Sequence, residues 1–132
     1  MNSNYRLGLL VSILNVATRN HFTNLRVANC TMYFRILYIL KNNGIFSAIA
    51  VMNTHVVVFF KYKKGISSFS SLKVISKPGN RKWWTLSKLQ LNSSFFRFSG
   101  FYIISTDKGL LTSRECLLYE NVSGEILLKI EI

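Results

Sequence analysis

Apolar residues recur near the start of the chain at Leu7, Leu10, Val11, Leu14 and Ala17. Steps of three and four put these side chains on one face of a helix, predicted over residues 4–19. Ser3 or Asn4 offers a cap, and the polar run Asn20 to Asn24 ends the pattern. Leu25 to Ala28 is a short strand candidate. A second helix is predicted over residues 30–42, with Asn29 and Thr31 as caps and Met32, Ile36, Ile39 and Leu40 on its apolar side. Lys41 suits the negative end of that helix, and Gly44 is its stop signal. Two strands follow, over 45–52 and 55–62, joined by a tight Asn53-Thr54 turn. The run Val56-Val57-Val58-Phe59-Phe60 predicts a buried strand.

The pattern changes after Lys61, Lys63, Lys64 and Gly65, which with the serines that follow mark a boundary. Beyond it the apolar runs are short: Leu72 to Ile75, Arg81 to Trp84 and Phe101 to Ser105 read as strands. Thr112 with Glu115 three residues on outlines a capping box for a helix over 113–119. Asn121 to Gly124 is a turn. In the last segment Ile126, Leu128 and Ile130 alternate with Leu127, Lys129 and Glu131, the period of a closing strand. The fold class is therefore α+β in two small domains. Residues 1–64 form an α/β domain with two helices and a short sheet, and residues 65–132 a β-rich domain.

Composition narrows the functional class. The 132 residues are 49% apolar, with ten Phe, six Tyr and two Trp, enough for a core and too many for a disordered tail. Seventeen Lys and Arg face five Asp and Glu, a net charge of +12. The first acid is Asp107, so residues 1–106 carry 14 cations and no carboxylate. Such a surface repels itself unless a polyanion supplies counter-charge: nucleic acid first, an anionic membrane surface second. No apolar run reaches the roughly 18 residues of a membrane span. A basic peripheral-membrane or protein-scaffold module would need a basic amphipathic helix, yet residues 4–19 carry only Arg6 and Arg19. Cys30 and Cys116 have neither disulfide-framework nor metal spacing and are expected as two buried thiols. His21 and His55 lie in different elements with no acid near either in sequence, and there is no phosphate-cradling glycine loop. No catalysis, no cofactor, no metal, no small-molecule substrate and no membrane partner are expected.

Three segments carry a binding signal. In Lys77-Pro78-Gly79-Asn80-Arg81-Lys82-Trp83-Trp84 a Pro-Gly turn is flanked by cations, and adjacent indoles on a strand point to opposite faces. One indole can fill the core while the other stacks on an unpaired base. In Ser105-Thr106-Asp107-Lys108-Gly109 small hydroxyls precede a glycine, so backbone and hydroxyls can approach sugar or base edges. Ser123-Gly124-Glu125 is a tight turn where a ligand can come near the main chain.

Read in order, these segments resemble the eighth family of ribosomal small-subunit proteins. The family signature Ser-Thr-x-x-Gly-x-x-Thr-x-x-x-Ala, followed by Gly-Gly-Glu and a closing strand, is matched by Ser105-Thr106-Asp107-Lys108-Gly109-Leu110-Leu111-Thr112-Ser113-Arg114-Glu115-Cys116 and by Ser123-Gly124-Glu125-Ile126. Its Ser-x-Pro-Gly-x-Arg turn is matched by Ser76-Lys77-Pro78-Gly79-Asn80-Arg81, and its Lys-x-x-Gly helix end by Lys41-Asn42-Asn43-Gly44. The chain departs from the pattern at Asp107, Cys116 and Ser123, and 86–98 matches no family motif. The resemblance implies a non-enzymatic protein that binds the central domain of small-subunit rRNA, supports its assembly and touches neighbouring small-subunit ribosomal proteins. It implies RNA contacts at Lys77, Arg81, Lys82, Trp83, Ser105, Thr106, Asp107, Lys108, Gly124 and Glu125. The Phe-, Ile- and Asn-rich bias, the lack of an import leader and the short N-terminus lead to the expectation of an organelle-encoded chain, in a mitochondrion rather than a plastid.

Overall fold

The computed structural model of the protein describes residues 3–77, 79–84, 100–107, 109–118 and 124–132. Helix α1 (Ser3–Arg19) buries Leu7, Leu10, Leu14 and Ala17, as its periodicity requires. Helix α2 (Thr31–Asn42) buries Tyr33, Ile36, Leu37 and Leu40, while Met32 and Ile39 are half-buried at the margin. The apolar face is therefore turned by about one residue from the predicted one, because Tyr33 and Leu37 reach the core better than the flanking pair. No side chain caps the start of α2: Cys30 is the N-cap, and Asn29 donates instead to the Met52 carbonyl at 2.7 Å. At the other end Gly44, with φ of 81°, closes a reverse turn. Its N–H donates to Lys41 O and the Ile45 N–H to Leu40 O, so the helix's own chain satisfies these carbonyls.

Between and after the helices lie β1 (Asn24–Ala28), β2 (Phe46–Val51) and β3 (His55–Phe60), an antiparallel sheet in the order β1-β3-β2. Val56, Val58 and Phe60 face the helices; Val57 and Phe59 face outward. The Val-rich run is thus buried on one face only, since no layer of the described residues covers the other. A small hairpin follows, β4 (Tyr62–Lys63) and β5 (Ile66–Ser67). It was not foreseen as strand.

The second sheet contains β6 (Ser71–Val74), β7 (Trp83–Trp84), β8 (Gly100–Thr106), β9 (Gly109–Thr112) and β10 (Gly124–Glu131). Strand β10 is central, flanked by β8 on one side and by β6 and β7 on the other, all antiparallel. A bulge between Ile126 and Leu128 resets its register. Ile126 therefore joins Tyr102, Ile104 and Cys116 on one face, while Leu128 and Ile130 join the main core on the other. Strict alternation could not predict that change of side. Helix α3 (Ser113–Leu118) starts where expected, with the Glu115 N–H donating to Thr112 Oγ1 at 3.3 Å. Cys116 is buried, whereas Cys30 is only half-buried, because it sits at the entrance to α2.

One hydrophobic cluster holds side chains from α1 and α2, the first sheet and the inner face of the second, including Leu10, Leu40, Val58, Leu72, Ile103 and Leu128. A polar clasp adds to it. Asn15 on α1 donates to Leu72 O at 2.9 Å and accepts from Leu72 N–H at 3.0 Å, as a neighbouring strand would. Among the described residues no helix is long and apolar enough to cross a membrane.

Candidate nucleic-acid interface

The three binding segments, up to 48 residues apart in sequence, meet on the second sheet. Register makes the meeting specific. Trp83 is opposite Glu125, Glu125 opposite Ser105, and Ser105 opposite Leu110. Directly opposed residues share a face, so these four form one row across β7, β10, β8 and β9. With strands about 4.8 Å apart the row is about 14 Å long. The next row is Trp84, Gly124, Thr106 and Gly109.

Gly124 is required by this packing. A Cβ there would lie 2.1 Å from the Ser105 carbonyl oxygen. The two strands therefore touch main chain to main chain, which presses the Ser105 edge tightly against the start of β10.

Glu125 organises the turn that carries the cations. It is buried, and its Oε1 accepts from the Ser76 hydroxyl at 2.7 Å. Arg81 Nη1 donates to both carboxylate oxygens at 3.2 Å. Ser76 in turn accepts from the Lys82 N–H at 3.2 Å, and the Lys82 carbonyl accepts from Ile126 N–H at 2.9 Å. The tight turn itself closes through the Asn80 N–H to Lys77 O bond, 2.9 Å. The result is a fixed loop on which Lys77 and Lys82 are exposed and the Trp83 indole is 66% exposed.

At the other end of the row the Thr106 hydroxyl donates to Gly109 O at 2.8 Å, closing the β8–β9 hairpin. Asp107 sits exposed at its tip. Lys108 and Ser123, with Pro78, lie outside the described residues, as does the unmatched segment 86–98. The half-buried Ser105 hydroxyl has no hydrogen-bond partner among the described residues, so it can donate and accept outward.

A concave groove runs over the Glu125, Ser105 and Leu110 part of this row. Its floor includes Arg81, Ser105, Thr106, Leu110 and Glu125; its opposite wall is the first turn of α2, with Thr31, Met32 and Arg35. The sequence reading took Thr31 only as a helix cap and did not single out Arg35. They stand one helical turn apart and so share a face, and Arg35 is exposed on the side away from the buried Tyr33 and Ile36. The available signal was a lone cation on the polar side of a helix, which says nothing of what lies across from it.

Burial pushes the Cys116 thiol up to about 11, with Glu115 adding to the effect, so it stays protonated and inert beneath the sheet. At the far end of β10, Glu131 is held below its usual value chiefly by its hydrogen bond with Lys73, the two cations Lys73 and Lys129 reinforcing it. Lys73 lies 3.3 Å and Lys129 3.5 Å from its Oε1.

Fold and surface together define a class: a small basic α+β protein whose second sheet offers hydroxyls and arginines along one groove, with an exposed indole and two lysines on the adjoining turn. Comparison with known proteins gives the family. The profile described as Ribosomal protein S8 matches residues 8–130. A small ribosomal subunit protein uS8 of Mesomycoplasma hyopneumoniae is 36% identical over 122 residues, covering 90% of this chain and 89% of its own length. The uS8m of Acanthamoeba castellanii is 29% identical over 125 residues, with 94% and 97% covered. The uS8c of Euglena gracilis is 32% identical over 115 residues, with 76% and 79% covered. The chain belongs to the ribosomal protein S8 family.

Proposed function

We infer that the chain is a structural, non-enzymatic protein of the small ribosomal subunit that binds small-subunit rRNA. We further propose that the rRNA segment is in the central domain and that the groove over the Glu125–Ser105–Leu110 part of the row is where it is held. The observation that carries this reading is the convergence of three separately motif-matched segments on adjacent rows of one sheet. Each part has a physical task. The Ser105 hydroxyl and nearby main chain read the shape of a distorted, partly unpaired helix. The exposed Trp83 ring offers a stacking face. Lys77 and Lys82 neutralise phosphate, with Arg81 half-committed to Glu125. Neighbouring ribosomal proteins are the other partners. The mitochondrial assignment rests on compositional bias and on one mitochondrial relative among mainly bacterial ones.

The test compares Ser105→Ala with Lys82→Ala in filter-binding titrations on a central-domain rRNA fragment. Removing a buried polar contact costs about 1–3 kcal/mol, or about five- to 150-fold in affinity, at any salt. Loss of one phosphate contact mainly lowers the salt slope by about 0.8. At about 0.2 M salt Ser105→Ala should therefore weaken binding more. The reverse order would remove Ser105 from the interface.

A further inference from the structure

The groove described above lies against the first turn of α2. A second concave surface lies at the other end of the same helix, beside Gly44, and is lined by Lys61, Lys63, Lys64, Ser67 and Ser68. Twelve helical residues separate the two regions by about 18 Å. We propose that the β4–β5 hairpin is a second contact with the RNA backbone, in which Lys61, Lys63 and Lys64 hold phosphates at the far end of α2; this rests on RNA being the ligand of the chain.

Four observations carry it. First, the three lysines are exposed, and no carboxylate forms an ion pair with any of them among the described residues. Acids are absent from the first 106 positions, and ion pairs are seen at Glu125 and Glu131 of β10, far along the sequence from the hairpin. Second, the lysines are not needed to finish α2. Its last carbonyls already accept from the Gly44 and Ile45 N–H groups, a task a cation at a helix C-terminus would otherwise share.

Third, the hairpin is held rigidly. Tyr62 donates its hydroxyl to Phe22 O at 2.7 Å, and its ring lies 5.6 Å from that of His21. The Ser68 hydroxyl donates to Ile45 O, and the Ser68 N–H to Lys61 O at 3.1 Å. Phe69 is buried edge-on against Phe46. Lysines on an anchored two-strand ribbon lose less freedom on binding than lysines on a loose loop. Fourth, the turn is shaped to present them. Lys64 and Gly65 have φ of 54° and 78°, the tight hairpin geometry that follows the strand twist. Gly44 brings no side chain to the floor between them, which leaves room for a phosphate. Charge, hydroxyl donors and the absence of acids all match a phosphodiester. Ile66, 72% exposed beside the lysines, is the one feature that would suit a protein instead.

The experiment uses the full chain and full-length small-subunit rRNA in filter-binding titrations across a salt series, with the Lys63→Gln/Lys64→Gln double variant and Ser105→Ala beside it. Both substituted lysines are exposed; thermal melts establish that the variants fold equally. Two lost phosphate contacts lower the salt slope by about 1.6, so the double variant should bind about fortyfold more weakly at 0.1 M and converge on the parent near 1 M. Ser105→Ala should lose affinity with the slope unchanged. If the parent binds and the double variant keeps its slope, the hairpin proposal is overturned while the groove stands. If the parent itself fails to bind rRNA, the reading beneath both is wrong. If the slope is unchanged but a crosslinker at Ile66 captures a neighbouring protein in assembled subunits, the hairpin is a protein contact and the proposal falls.

Discussion

Replacing Glu125 separates two roles the carboxylate could have, a direct contact with RNA or a brace for the loop that makes such contacts. In the structure the group is buried and already engaged by Ser76 and Arg81. Glu125→Ala leaves the fully buried Ser76 hydroxyl without its acceptor, which costs about 1–3 kcal/mol. It also removes a pair with Arg81; because that guanidinium is 48% exposed, solvent discounts the loss to about 0.5–1 kcal/mol. The sum, about 1.5–4 kcal/mol, is a large share of the 5–15 kcal/mol typical of a domain. Glu125→Gln keeps an oxygen that can accept from Ser76 and forfeits the charge, so about 1 kcal/mol is expected. Urea unfolding followed by circular dichroism reads both. The alanine variant should lower the midpoint by about 1–2 M and the glutamine variant by less than half of that. RNA affinity should fall in the same order, because the loop bearing Lys77, Lys82 and Trp83 loosens with its brace. A glutamine variant of parental stability that no longer binds RNA would refute the brace and make the carboxylate a direct contact.

Gly124→Ala should destabilise by about 1–3 kcal/mol, since the added methyl meets main-chain atoms of Ser105 that cannot rotate away; a melt indistinguishable from the parent would mean the two strands can part freely. Glu131 gives the protein an acid-sensitive edge. Its folded carboxyl titrates below the usual 4.5, so its stabilising effect is complete above that value and is lost as pH falls through the lower folded one. Melting temperatures recorded from neutral pH downward should therefore drop below about pH 4.5, and Glu131→Gln should flatten that drop.

Much of this was legible before any coordinates. The N-terminal helix, the Gly44 stop, the Asn53-Thr54 turn and the closing strand each follow from local pattern, because capping, turn chemistry and period act over a few residues. The motif residues Ser105, Thr106, Gly124 and Arg81 were identifiable one by one. What sequence could not disclose was their adjacency. That depends on β10 taking the centre of the sheet and on a bulge after Ile126, both consequences of non-local pairing. For the same reason the place of Thr31 and Arg35 in the groove was not legible: their position opposite Ser105 is set by how α2 packs on β9, about 75 residues downstream. Glycine at 124 read as a turn former, whereas its structural task is close contact between two backbones. Strand β9 was missed because Leu110 and Leu111 are too brief a run to stand out.

The Asn15 clasp on Leu72 bears on life before assembly. A newly made copy must wait, highly cationic and without its RNA, among many identical chains. Strand β6 forms an outer margin of the large sheet, and such a margin invites another molecule to zip on and begin a precipitate. The amide of Asn15 occupies both main-chain groups of Leu72, so a would-be zipper meets a stopper in the middle of that four-residue strand. A single side chain on a helix thus helps to keep unassembled copies apart.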